Sequence, residues 1–206
     1  MSILEKKPKI VVFDVGGVLL NWKAAVPKIS NLLNISDEKM YEELWSHNVD
    51  MDLGKTHQDN FWKYLSEKYN PDVKPMFLKK TWIEEQLRIE SGWNLLKKVK
   101  KAGFMTICLT NNWKDTLERQ MEIHPDFLLF NRIFNSAYLG VRKPNEDIYK
   151  IIENEIGHKG KDIFFIDDVK ENCEGAEKLE WQTFQFDCSK SGGVKDSEKI
   201  KKLLNI

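Results

Sequence analysis

Three short, almost unbroken apolar runs constrain this chain most: Ile10-Val11-Val12-Phe13, Phe104 to Leu109, and Ile163 to Ile166. Each is rich in β-branched or aromatic residues and is bounded by polar ones. A strand with one wet face alternates apolar and polar residues, whereas a run without alternation reads as a strand covered on both faces. Arg132 to Ser136 and Trp181 to Phe186 are weaker strand candidates. Helical patterns lie between the strands: Trp93, Leu95, Leu96, Val99 and Ala102 lead to Gly103, and Ile148, Ile151, Ile152 and Ile156 lead to Gly157, with Pro144 near the start. Proline early and glycine late is the asymmetry expected of helix ends. Strands alternating with helices predict the α/β class, as a three-layer Rossmann-like parallel sheet.

Residues 22–87 break that rhythm. No strand run stands out there, and Leu32, Leu33, Met40, Leu44, Trp45, Phe61, Trp62, Leu65, Phe77, Leu78, Trp82 and Leu87 recur at helical spacings. Asn70-Pro71-Asp72 marks a break between two helices. The stretch is expected to be a helical insertion of residues 22–87, placed after the first strand of a core made of residues 1–21 and 88–206, with its aromatic residues in its own core.

Charge and cysteine usage narrow the function classes. The 206 residues carry 32 Lys+Arg and 32 Asp+Glu, a formal net charge of zero. Nucleic-acid and membrane-surface binders show a basic excess that this chain lacks. No apolar run approaches the ~18–20 residues of a membrane helix. The charged stretch Met1 to Lys9 has no signal-peptide pattern, and three scattered cysteines (108, 173, 188) suit a reducing compartment, so the cytoplasm is the expected location. The four histidines (47, 57, 124, 158) show no zinc spacing.

The chemistry sits where the strands end. The first run ends in Asp14, followed by Val15-Gly16-Gly17. In wound parallel sheets ligands bind at the carboxyl ends of strands, so Asp14 suits an anion or metal site; a turn cap with glycines at positive φ is the plain alternative. The third run ends in Asp167-Asp168, two adjacent carboxylates that repel unless a cation or donors compensate them. A double helix cap is the alternative there. The second run ends in Thr110-Asn111-Asn112, small donors suited to phosphate oxygens or to an ordinary turn, and Lys143 stands before a helix in Gly140-Val141-Arg142-Lys143-Pro144. The glycines follow neither GxGxxG nor the P-loop pattern. A carboxylate nucleophile, a phosphate cradle, a neutralising lysine and a metal site together form a coherent set for phosphoryl transfer.

VVFDVGGVLL, LTNN, GVRKPNEDIY and FFIDDVKENCEGA resemble, in order, motifs one to four of the haloacid dehalogenase-like hydrolase superfamily. The helical segment is similar to its C1 cap, and the whole is similar to the sugar-phosphate branch that includes α-glucose-1-phosphate phosphatases and to the phosphatase domain of soluble epoxide hydrolases. The resemblance implies an Mg²⁺-dependent hydrolase of small phosphomonoesters. Asp14 would be the nucleophile, and Thr110 with the Asn111 backbone would hold the phosphoryl group. Lys143 would neutralise charge. The Mg²⁺ would be bound by Asp14, the Gly16 carbonyl and Asp168, with Asp167 in support. Trp45, His47, Asp52 and Lys55, in the segment similar to the cap turn, would contact the leaving group. The expected partner is a small phosphorylated metabolite, not nucleic acid or membrane, bound by a monomer or homodimer.

One position departs from that pattern. The superfamily's phosphatases usually carry a second Asp two residues after the nucleophile, where this chain has Gly16. The missing acid–base group is typically worth ~10²–10⁴ in rate. Sugar 1-phosphates, whose anomeric leaving group is more acidic than an ordinary alcohol, would need it less. His47 or His57 could supply the proton instead. A catalytically weak protein that only binds a phosphorylated ligand or partner is another alternative. The 2-haloacid dehalogenases also lack the second Asp, but they need no cation beside a fourth-motif carboxylate pair.

Overall fold

A computed structural model describes residues 4–206, so the first three residues of the expected core segment and N-terminal stretch lie outside the described residues. The elements run β1 (Ile10–Phe13), β2 (Leu20–Asn21), α1 (Val26–Leu33), α2 (Asp37–Asp52), α3 (Gln58–Tyr69), α4 (Pro75–Glu84), β3 (Leu87–Arg88), α5 (Glu90–Lys101), β4 (Met105–Thr110), α6 (Lys114–Ile123), β5 (Arg132–Asn135), α7 (Ser136–Leu139), α8 (Glu146–Ile156), β6 (Ile163–Asp167), α9 (Lys170–Glu177), β7 (Gln182–Gln185) and α10 (Val194–Leu204).

Five strands form one sheet in the order β5-β4-β1-β6-β7, with every pair parallel. The central strand shows why the apolar runs do not alternate. Val11 and Phe13 pack with Trp93, Leu96, Val99 and Ile200 on one face, and Ile10 and Val12 pack with Ile148, Tyr149, Ile152 and Trp181 on the other. Both faces are dry, so both parities must be apolar. Helices α5 and α10 supply one outer layer and α8 and α9 the other, giving three layers.

Register then sets the site. Phe13 pairs with Cys108 on one side and Ile166 on the other, and the Asp14 N–H donates to the Ile166 carbonyl at 2.9 Å. The residues leaving these strands, Asp14, Thr110 and Asp167, therefore reach the same edge of the sheet.

Helices α1 to α4 enclose a separate core containing Ile29, Leu33, Met40, Phe61, Trp62, Leu65, Leu78 and Trp82. Its stem is the antiparallel pair β2–β3, with Leu20 opposite Arg88 and Asn21 opposite Leu87. Periodicity misses these strands because two residues are too few to show a period. Two aromatic residues expected in this core, Trp45 and Phe77, are exposed instead, as is Leu87. Helical spacing places a side chain on a face but does not say which face is covered. No helix among the described residues is long and apolar enough to cross a membrane.

Candidate active site

Asp14, Lys143 and Asp167 form a buried chain of charges. The Lys143 ammonium lies 3.0 Å from Asp14 Oδ1 and 2.6 Å from Asp167 Oδ2, and it donates to the Leu109 carbonyl at 3.0 Å. Burial alone would depress this lysine's pKa, but the Asp14 and Asp167 carboxylates more than reverse that and keep it charged. Asp167 is fully buried, and its oxygens also accept from the Val169 N–H at 2.8 Å and the Asn172 amide at 3.0 and 3.1 Å. All these bonds turn inward, and Asp167 does not line the adjacent cavity. Lys143 is aimed by its neighbours as well: its N–H donates to Asn111 Oδ1 at 2.9 Å, and Asn111 Nδ2 donates back to the Lys143 carbonyl at 3.0 Å.

Asp168 completes a cluster. One oxygen from each of Asp14, Asp167 and Asp168 lies within 4.8 Å of the others. Desolvation pushes the Asp14 pKa up, Lys143 opposes it, and the two neighbouring carboxylates add to the rise. Asp168 is raised for the same reason, by burial first and Asp167 second. Three carboxylates against one buried ammonium leave an excess of negative charge, which a hard divalent cation would balance. The donor set therefore fits Mg²⁺. Gly17 makes room for the Asp168 carboxylate: φ is +72°, and a Cβ there would lie 2.2 Å from Asp168 Oδ2.

Above this cluster is a cavity of about 530 Å³ between core and cap. Asp14, Gly16, Thr110, Asn111, Lys143 and Asp168 line its floor, and Trp22, Leu44, Trp45, Asp52, Trp82 and Trp113 line its upper wall. Trp22 meets Trp45 edge-on with centroids 6.0 Å apart, and Trp82 stacks on Trp113 at 5.6 Å. Several polar residues between them are already bonded to each other: Gln120 donates to Gln86 at 2.7 Å, and Asn112 donates to Gln120 at 2.9 Å. The wall thus offers a ligand mainly indole surface, including Trp45, which is 58% exposed.

Two of the cap residues expected at the leaving group are not there. His47 bonds through Nδ1 to the Glu43 carbonyl at 2.8 Å, packs its ring against Phe61 and Tyr64, and does not line the cavity. Its position on α2 places it on the face that meets α3. Lys55 is an exposed turn residue outside the cavity. His57 also stays away, its ring 3.0 Å from Asp115 and 3.3 Å from Asp59. Trp22, Trp113, Arg142 and Asn172 were not singled out from sequence. Arg142 and Asn172 sit inside the third and fourth motifs, which is the one signal they carry; nothing local marks Trp22 or Trp113.

Comparison with known proteins fits this geometry. Residues 11–186 match the family model described as haloacid dehalogenase-like hydrolase. The chain belongs to that family. Among its relatives is a sesquiterpene phosphatase of Aspergillus oryzae, 27% identical over 175 residues, covering 83% of this chain and 86% of that one. A drimenol cyclase of Aspergillus calidoustus is 23% identical over 86% of this chain, which spans only 34% of that protein's length. In fold, the chain matches a family enzyme from Bacteroides thetaiotaomicron solved with magnesium and inorganic phosphate, at TM-score 0.72, 19% identity, and 86% and 93% of the two chains. It also matches the L-2-haloacid dehalogenase of Xanthobacter autotrophicus at TM-score 0.66 and 15% identity, over 85% and 76%.

Proposed function

We propose that the chain is an Mg²⁺-dependent phosphatase that hydrolyses phosphomonoesters of apolar or ring-bearing alcohols through an aspartyl-phosphate on Asp14. The observation that carries this reading is the cluster of Asp14, Asp167 and Asp168 around a single buried lysine, a site with more negative charge than a metal-free displacement needs. Asp14 and Asp168, with the Gly16 carbonyl, would hold the cation. When bound, the cation supplies charge neutralisation for the phosphoryl oxygens.

The chain's own residues do the rest. Lys143 opposes the rise in the Asp14 pKa, orients that carboxyl by direct contact and presents a positive charge to the incoming phosphate. Thr110 and Asn111, beside it at the end of β4, line the floor as phosphoryl donors. Asp167 holds Lys143 and does not itself face the substrate. The four indoles exclude water around the leaving group and favour an apolar organic part. The sesquiterpene phosphatase among the relatives supports that choice. Sugar phosphates, the narrower class suggested by the resemblance of the motifs, are the competing substrates.

The test is phosphate release from p-nitrophenyl phosphate with Mg²⁺ or EDTA, for the wild type and Asp14→Asn. We expect turnover that EDTA abolishes and that falls by at least ~10³-fold in the variant, in line with loss of a covalent nucleophile. Prenyl, naphthyl and hexose phosphates then rank the leaving groups, with prenyl and naphthyl esters ahead in kcat/KM. Halide release from 2-chloropropionate without phosphatase activity would overturn the proposal in favour of a dehalogenase.

A further inference from the structure

We propose that Asp52, carried by the cap, gives the leaving group the proton that Gly16 cannot, an assignment that rests on the phosphatase reading above. The usual position for this acid is closed: Gly16 has no side chain, and a Cβ there would already lie 3.3 Å from Trp22 Cδ1. The acid must therefore come from another wall of the same cavity. Both cap histidines are outside it. Glu171 lines it but is exposed at the start of α9. Asp52 lines it and is only 5% exposed.

Its position is built into the fold. Asp52 is the last residue of α2, where the helix dipole disfavours a carboxylate. The following turn clamps that end to the core: Gly54 has φ +67°, and a Cβ there would lie 2.2 Å from the Ala137 carbonyl oxygen. Arg142 Nη2 lies 3.3 Å from Asp52 Oδ2, and the next residue, Lys143, touches the nucleophile. Consecutive core residues thus tie the cap carboxyl to the phosphoryl site.

Burial pushes the Asp52 pKa up to about 6, although Arg142 first, then Lys143 and Trp113, pull it down. Those two cations are the charged groups facing it from the core, and Lys114 passes beside Gly54. Such a carboxyl can be an acid in one half-reaction and a base in the other near neutrality. As an Asp14 oxygen bonds to phosphorus, the ester P–O bond breaks and the departing oxygen takes the Asp52 proton, leaving the free alcohol. The Asp52 carboxylate then takes a proton from the water that attacks the aspartyl-phosphate, releasing phosphate and restoring both groups.

The experiment compares kcat/KM for an alkyl ester, 2-phenylethyl phosphate, with that for 2,4-dinitrophenyl phosphate, whose leaving group needs no proton. Wild type and Asp52→Asn are assayed with Mg²⁺ from about pH 5 to 9. We expect Asp52→Asn to lower the alkyl value by ~10²-fold or more and the dinitrophenyl value by less than tenfold. In the wild type the alkyl-to-aryl ratio should fall as pH rises past the Asp52 pKa, because the acid is lost; in the variant the ratio should be flat. Should Asp52→Asn fail to fold, Arg142→Gln decides: removing the cation raises the Asp52 pKa and must move the falling limb to higher pH. Equal losses on both esters, or a wild-type ratio independent of pH, overturn the assignment while leaving the phosphatase reading intact. A wild type inert towards dinitrophenyl phosphate overturns that reading, and this assignment with it.

Discussion

Gly17 illustrates how one missing atom shapes the site. Its backbone is left-handed, which costs an L-residue about 1–2 kcal/mol, and the space a Cβ would need is taken by the Asp168 carboxylate. Gly17→Ala should therefore displace Asp168 as well as strain the turn. A ligand that binds only the folded state raises its stability by mass action, so millimolar Mg²⁺ should raise the melting temperature of the wild type. Thermal melts with and without Mg²⁺ should show that rise in the wild type and its loss in Gly17→Ala. The sequence shows two glycines after an aspartate; only the fold shows that Gly17 faces Asp168 while Gly16 faces Trp22.

At the scale of elements, α2 and α3 are joined by a buried carboxylate. Glu43 is nearly inaccessible and accepts hydrogen bonds from Tyr64 at 3.0 Å, Lys68 at 2.9 Å and Tyr69. Burial raises its pKa, but the bonds from Tyr69, Lys68 and Tyr64 together outweigh that and leave it below the usual value. A depressed pKa contributes stability that is present above the unfolded-state value and is lost as pH falls through the folded one. We expect Glu43→Ala to lower unfolding stability by about 2 kcal/mol at pH 7, the scale of hydrogen bonds to a charged group. That deficit should shrink as the pH falls below about 4, measured as urea midpoints of both proteins across pH. This network was not legible in the sequence, because Glu43 lies on a helix with many exposed charges, and its partners are more than twenty residues away.

At the scale of the whole molecule, Trp113 is one of the residues that cross the gap between core and cap. It precedes α6 in the core domain, yet its ring lies in the cap's apolar cluster, stacked on Trp82 and edge-on to Phe61. Removing a buried tryptophan costs about 3–5 kcal/mol. Trp113→Ala should lower the unfolding free energy by about that amount, and it should also uncouple the cap, so that denaturation followed by tryptophan fluorescence and by far-UV circular dichroism no longer coincides. A single coincident transition in the variant would mean that the other contacts suffice to couple the two parts.

The sequence by itself determined the sheet and which polar residues gather at one edge of it. Uninterrupted apolar runs require strands covered on both faces, and the polar residues that end them must emerge at one edge of a parallel sheet, which groups Asp14, Thr110 and Asp167 there. Local pattern also marked the helical insertion, because helical spacing is a property of neighbours in the chain. Only the tertiary structure decided which cap residues face the core. His47 and Asp52 lie on the same helix, five positions apart; a residue advances about 100° around a helix, so five positions turn the side chain by about 140° onto a different face. One points to α3 and the other lines the cavity between core and cap, and the choice between them was made by the way the cap docks, through Gly54 on Ala137, Arg142 on Asp52 and Trp113 in the cap core. Those contacts join residues far apart in the chain, so no local pattern carries them.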